Sequence, residues 1–119
     1  MIFSSYIFVL LFLPPYHIYF WCTLQSVEKA EGYLKLREYF VARAQDFSNV
    51  KLHDFQAGEK IVCNMEIFRD GAHYNKETNA LMAQEMKKGS YLIDREAGER
   101  NTAKLRALIA RYLPEYQKL

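Results

Sequence analysis

Apolar residues are concentrated at the start of the 119-residue chain. The seven residues 7–13 form an uninterrupted apolar run that ends at Pro14 and Pro15. A short, bulky run stopped by proline is typical of a buried parallel strand. A signal peptide needs a basic start and a small-residue cleavage site, and neither is visible here. A membrane span needs about 20 apolar residues, but this run has only seven before the two prolines. We therefore predict a buried strand and a loop over residues 1–24, with a membrane segment as the alternative.

The pattern becomes helical after Gln25 and extended again after Asn49. One apolar stripe recurs at steps of three and four, which predicts an amphipathic helix from Gln25 to about Phe47. The alternation in Val50 to Phe55 predicts a second strand. Strand, helix and strand form a crossover unit, so the two strands should be parallel. The residues of the stripe, expected to face the core, are Tyr33, Leu36, Phe40, Ala44 and Phe47.

The second half of the chain predicts a long irregular stretch and two helices. A brief extended piece is expected at residues 60–63. Asn75 has the side chain of a helix N-cap, and Gly89 lies where such a helix would end. A last helix should run from about Glu99 to Leu113, stopped by Pro114. Residues 1–119 thus predict a single α/β domain built on a parallel sheet.

Composition and charge narrow the function classes. Half of the residues are hydrophobic and 15% are aromatic, which is enough apolar surface for a folded core. The net charge is only +2, and the 30 acidic and basic residues are interleaved after Val27, so no nucleic acid partner is expected. Cys22 and Cys63 belong to no Cys/His cluster with metal-ligand spacing, so neither a metal nor another cofactor is expected. They could be buried thiols or one disulfide.

The stretch 68–75, FRDGAHYN, places Asp70 three residues before His73. A carboxylate that accepts a hydrogen bond from one imidazole nitrogen fixes the tautomer and leaves the other nitrogen free to act as a base. We therefore take Asp70 and His73 as candidate catalytic residues. The alternative is that Asp70 begins a turn with Gly71 and that His73 only covers the start of the next helix.

The predicted topology gives this pair a context. Ligands of open parallel sheets bind beyond the carboxyl ends of the strands, and the Asp70/His73 loop follows the second strand. The loop after the first strand should open on the same edge. Tyr16, His17 and Tyr74 are therefore candidate substrate-binding residues at the rim, although aromatic residues at such places also serve in core or lid packing.

Three segments in this order carry a family resemblance: FLPPY (12–16), NVKLHDF (49–55) and RDGAHYN (69–75). Together with the helices between and after them, they resemble the C-terminal part of the SGNH (GDSL-like) hydrolases, in the membrane-associated bacterial branch. The resemblance implies a three-layer α/β/α sandwich of the flavodoxin-like SGNH type. It also implies hydrolysis or transfer of ester-linked acyl groups, with His73 as general base and Asp70 as its orienting partner.

The resemblance further implies an acylated small molecule or polysaccharide as substrate, and an extracytoplasmic location in the cell envelope. Membrane association would then come through an N-terminal part that this sequence lacks. The family's Gly-Asp-Ser block and its oxyanion-hole glycine and asparagine are also absent, and no G-x-S-x-G elbow occurs.

Whether the chain is an enzyme thus stays open. We expect a C-terminal fragment of an SGNH-like esterase or O-acyltransferase domain that lacks the N-terminal strands and is inactive alone. The alternatives are a noncatalytic α/β interaction protein, which could self-associate through an exposed sheet edge, and a small membrane-anchored protein.

Overall fold

A computed structural model describes residues 8–119 of the chain. Residues 1–7 of the predicted strand-and-loop segment lie outside this range. The described residues form three strands, five α-helices and one short 3₁₀ turn. In chain order these are β1 (Val9–Leu13), α1 (Ile18–Ser26), α2 (Ala30–Ala44), β2 (Val50–Asp54), α3 (Glu59–Val62), the 3₁₀ turn (Met65–Ile67), α4 (Lys76–Lys88), β3 (Leu92–Ile93) and α5 (Arg95–Gln117).

The strands form one small mixed sheet in the order β1, β2, β3. β1 runs parallel to β2, with Val9 opposite Val50 and Leu13 opposite Asp54, which confirms the predicted parallel pair. β3 is antiparallel to β2 and was not expected. The chain is thus an α/β protein, and its crossover between β1 and β2 contains two helices, α1 and α2.

Two apolar clusters hold the helices and the sheet together. In the first, α1 and α2 pack against α5 through residues such as Trp21, Leu34 and Leu105. In the second, Val41 of α2 meets Leu52 of β2, and β1 packs partly against the same cluster. α2 therefore lies over both parallel strands and connects the sheet to the other two helices.

The prediction for residues 1–24 was wrong in two respects. β1 pairs only with β2 among the described residues, as the expected free sheet edge requires, but it is not buried, because Leu10 remains 56% exposed. The loop predicted after it contains α1, which begins soon after Pro15. The imidazole of His17 caps this helix by accepting a hydrogen bond from the Tyr19 N–H at 3.1 Å. A histidine is an uncommon cap, so the start of α1 carried little local signal.

The predicted core stripe of α2 was also wrong. Of its five residues Ala44 alone is buried, whereas Tyr33, Leu36, Phe40 and Phe47 are exposed to solvent. The helix carries apolar residues around much of its circumference, so periodicity alone allowed more than one buried face. The face that is buried includes the charged residue Arg37, which made it look polar in the sequence. The buried residues are Ala30, Leu34, Arg37, Val41 and Ala44.

Two further boundaries differ from the prediction. Residues 60–63 belong mostly to the short helix α3 and not to an extended piece. α5 continues past Pro114 to Gln117. Proline removes one backbone donor, but this last turn is held by Tyr116, whose hydroxyl lies 3.0 Å from Thr23 Oγ1 and whose ring packs on Tyr19.

Candidate functional site

The loop that carries Asp70 and His73 is closed by its own backbone. The Arg69 N–H donates to the His73 carbonyl at 2.7 Å, and the Asn75 N–H donates to the Ile67 carbonyl at 2.7 Å. Asn75 then begins α4 as predicted, because its side-chain oxygen accepts a hydrogen bond from the Thr78 N–H. The predicted helix end is confirmed as well, since Gly89 has a left-handed φ of 72°.

Asp70 contacts both the backbone of this loop and the imidazole of His73. Its Oδ1 accepts hydrogen bonds from the Ala72 and His73 N–H groups, at 2.8 and 3.0 Å. Its Oδ2 lies 2.7 Å from His73 Nδ1. These contacts, the Ala72 N–H first and the imidazole next, hold the pKa of the Asp70 carboxyl below its usual range. The turn and the Asp/His pair, set out above as alternatives, therefore coexist.

The pair leaves one imidazole nitrogen available. A carboxylate is only an acceptor, so His73 Nδ1 carries the proton and Nε2 presents its lone pair. Among the described residues, no hydrogen bond occupies that Nε2. The side chains of His73 and Asp70 are 74% and 58% exposed, so a group from outside the loop can reach this nitrogen.

The two loops predicted to share one edge of the sheet do meet. The His17 N–H, just after β1, donates to the Gly71 carbonyl in the Asp70/His73 loop at 2.8 Å. Gly71 lies so close to α1 that a Cβ added there would be 3.2 Å from the Cβ of Phe20. The glycine thus permits the close approach that fixes the loop beside the carboxyl end of β1.

The three predicted rim residues have different surroundings. Tyr16 stacks on Phe20 with ring centroids 4.8 Å apart and lines a cavity of about 440 Å³. Tyr74 pairs with Phe68 in an isolated bridge that closes the loop. His17 is only 5% exposed, so its imidazole caps α1 from the interior and not from an open rim. Burial lowers its pKa, and its Nε2 has no partner among the described residues.

A buried polar network lies at the end of β2 and was not predicted from the sequence. Arg37 donates to both carboxylate oxygens of Asp54, at 2.9 and 2.5 Å, and to Gln56 and Thr102. Asn101 donates to the same carboxylate at 2.9 Å. The available signal was an aspartate at the carboxyl end of a predicted strand, because its burial would require a cationic partner.

We compared the chain with known protein families, curated proteins and solved structures. No family model, no curated protein and no solved structure matches the chain. The site must therefore be interpreted from its own chemistry.

The described contacts leave His73 Nε2 able to accept a proton. Within residues 8–119, no three His, Cys, Asp or Glu side chains are grouped to hold a metal ion. Cys22 and Cys63 are free, and burial raises the pKa of the Cys22 thiol to about 11, so it is not a nucleophile near neutral pH. Across the same range, no helix has both the length and the apolar character needed to cross a membrane.

Proposed function

We propose that the chain is the C-terminal portion of an SGNH-like esterase or O-acyltransferase domain and supplies the base of its catalytic triad. In this role His73 Nε2 takes the proton from a serine hydroxyl, and Asp70 holds the imidazole in the required tautomer. The substrates would be ester-linked acyl groups on small molecules or on cell-envelope glycans. The corresponding location is extracytoplasmic, in the cell envelope.

One observation carries this proposal: the 2.7 Å contact between Asp70 Oδ2 and His73 Nδ1 in a loop bonded to the end of β1. A surface histidine with no carboxylate partner would populate both tautomers. Here the carboxylate is itself fixed by two backbone N–H groups, so the imidazole has a defined orientation. A general base requires a neighbouring group that orients it in this way.

The chain should not turn over esters alone, because it has no serine in the setting of a nucleophile. Loss of the nucleophile from a triad of this type lowers kcat by on the order of 10⁶. The DNA upstream of the coding sequence is therefore the first place to look for the missing Gly-Asp-Ser block, in frame or frameshifted. An upstream region that encodes an unrelated protein would remove the main support for the fragment hypothesis.

The functional test uses a protein in which the upstream segment is joined to this chain. Its hydrolysis of a short-chain p-nitrophenyl ester is measured. We expect activity in the joined protein, no activity in its His73→Ala variant, and a loss of roughly 10⁴ in kcat for Asp70→Asn. Glu77→Gln, an exposed change in the first turn of α4, is the matched control and should keep full activity. Equal turnover by the His73→Ala variant would reject His73 as the base.

A second candidate function is that of a noncatalytic interaction protein. The specific observation in its favour is the apolar surface along β1 and α2, which includes Leu10 at 56% and Leu36 at 62% exposure. Exposed apolar surface of this kind marks sites of protein association. If the joined protein is inactive while the chain binds a protein partner through this surface, the second candidate replaces the first.

A further inference from the structure

Large apolar side chains are exposed along α2 and along both faces of the β1 edge, with Phe8, Leu10 and Phe12 on the face away from α2; together we call them the β1–α2 surface. Its members are about half exposed on average. They are Phe8, Val9, Leu10, Phe12, Tyr33, Leu36, Tyr39, Phe40 and Phe47. Single exposed apolar residues are ordinary, but a set of this size is not typical of a protein surface that stays in water.

Two cavities join the strand to the helix. One, of about 350 Å³, lies between Val9 and Leu11 of β1 and Phe47 beyond the end of α2. The other, of about 440 Å³, lies between Leu13 and Leu36. Phe40 lines both. A partner seated here would therefore contact the strand and the helix together.

β1 has none of the features that usually protect an edge strand. Its sequence is VLLFL, with no charge, proline or glycine. Among the described residues its backbone hydrogen bonds go to β2 and to the two residues that flank it, Asn49 and Phe55, so its second edge can accept another strand. An uncharged, uncovered edge of this kind is a template for strand addition.

We propose that the occupant of the β1–α2 surface is a second copy of this chain, with the two β1 strands antiparallel across a twofold axis. The sequence of β1 suits this arrangement because an uncharged strand meets its own copy without placing like charges opposite each other. The full five-residue overlap places Leu11 opposite Leu11 of the second copy. The two sheets then become one sheet of six strands.

The same axis brings the two copies of α2 together. A twofold axis perpendicular to the joined sheet keeps both helices on the same face, and each overlies its own β1 and β2. Adjacent strands are about 4.8 Å apart, so the two copies of α2 face each other across the pair of β1 strands. In the dimer this junction buries Leu36 and Phe40, which line the cavity beside Leu13 of β1 and are 62% and 41% exposed within residues 8–119.

The available area is sufficient for a stable pair. Nine half-exposed side chains of this size present on the order of 800 Å², taking roughly 150–250 Å² for a fully exposed aromatic residue. A standard protein interface buries about 800 Å² on each partner. The surface therefore matches one complete dimer interface.

The first test is the mass of the chain in solution, by light scattering on a sizing column and by analytical ultracentrifugation. At roughly 100 µM we expect twice the 14.1 kDa mass of one chain. Leu36→Lys places a charge at the centre of the helix contact in both copies, so it should raise the dimer dissociation constant by roughly a hundredfold. Leu81→Lys, at a similarly exposed position on α4, is the control and should leave the constant unchanged.

A second test examines the strand pairing itself. With the native cysteines retained, Leu11→Cys should form an intermolecular disulfide under mild oxidation, because directly opposed strand residues have the Cβ separation that a disulfide needs. The unsubstituted chain and Leu81→Cys should give no comparable product, and circular dichroism verifies that each variant is folded. A monomer at the same concentration, an open series of larger species, or a dimer that ignores Leu36→Lys and forms no Leu11→Cys crosslink would overturn the proposal.

The dimer does not rest on the catalytic proposal, and the two fail separately. Neither His73 nor Asp70 belongs to the β1–α2 surface, so His73→Ala should leave the dimer mass unchanged. A chain that stays monomeric could still supply the base of a triad.

Discussion

His17 begins α1 with an imidazole where most helices use a hydroxyl, carboxylate or carboxamide. Because Nδ1 accepts the Tyr19 N–H, it carries no proton, and the neutral ring has its proton on Nε2. Protonation of Nδ1 would remove the cap acceptor and place a charge in a 5% exposed position. The folded state therefore favours the neutral ring, in agreement with the lowered pKa of His17.

This lowered pKa predicts the sign of a pH effect on stability. The unfolded chain binds a proton at His17 near pH 6.5, and the folded chain binds it only at lower pH. The contribution of His17 to stability is thus complete above pH 6.5 and declines as the pH falls from there towards the folded pKa. We expect the urea midpoint to be lower at about pH 5 than at about pH 8.

His17→Asn is the matched variant for this prediction, because asparagine is a good N-cap and does not titrate. The difference in pH dependence between the two proteins isolates His17 from the other titrating groups. An identical dependence in both proteins would show that His17 does not contribute.

The Asp70 carboxylate stabilises the turn and orients the His73 imidazole at the same time. Ionised, it offers about four acceptor positions, so it can bind the Ala72 and His73 N–H groups and the imidazole at the same time. The spacing of Asp70 and His73 was visible in the sequence. The backbone contacts that fix the carboxylate depend on the loop conformation, which the sequence pattern does not define.

At the scale of the elements, the contact between α5 and α2 depends on a glycine. A Cβ added to Gly98 would lie 2.4 Å from Val41 Cγ1. Gly98→Ala should therefore destabilise the protein by about 1–3 kcal/mol through overpacking. Chemical denaturation with equal slopes for both proteins gives the difference.

Gly32→Ala is the control for this change, and it should have the opposite sign. Gly32 lies inside α2, and an added Cβ there meets nothing within 4 Å. Alanine in a helix interior is better than glycine by roughly 0.5–1 kcal/mol, so this variant should be more stable. A Gly98→Ala protein as stable as the Gly32→Ala protein would contradict the described packing of α2 against α5.

Some elements could be predicted because one local signal was strong. α4 had a good N-cap at Asn75 and a glycine at its end, and the βαβ order led to the parallel pairing of β1 with β2. α1 and β3 were missed because His17 is a rare cap and Leu92–Ile93 is too short for an alternating pattern. The buried face of α2 was missed because it depends on Arg37 finding Asp54, a contact between distant parts of the chain.

At the scale of the whole molecule, the Arg37–Asp54 pair ties α2, β2 and α5 together. Both side chains are almost fully buried. Asp54→Ala would leave the guanidinium without its anion in the interior, and breaking one side of a buried pair costs about 3–5 kcal/mol. Since small domains are stable by about 5–15 kcal/mol, much of the stability of the fold should be lost. Urea denaturation measures this.

The control for that prediction is Glu31→Ala, which breaks an ion pair to Arg106 that links the same two helices, α2 and α5. This pair is exposed, so its removal should change stability little. The double variant Arg37→Met with Asp54→Leu should recover most of the loss, because it leaves no buried charge unpaired. A stable Asp54→Ala protein would mean that the pair is not buried in solution.

The candidate site was only partly predictable at this scale. Asp70 and His73 were found from their spacing, and the meeting of the two loops followed from the parallel sheet. The burial of His17 followed from α1, which the sequence did not reveal. The polar network around Asp54 required tertiary contacts from α2 and α5.

In the proposed function Asp70 holds the neutral ring of His73 with its proton on Nδ1 and a free lone pair on Nε2. Long-range ¹H–¹⁵N correlation spectra of the imidazole ring, recorded on the labelled chain at about pH 8 where a histidine is normally neutral, report this directly. We expect a protonated Nδ1 and an unprotonated Nε2 for His73, and a loss of this preference in Asp70→Asn. A His73 ring with its proton on Nε2, unchanged in Asp70→Asn, would contradict the account.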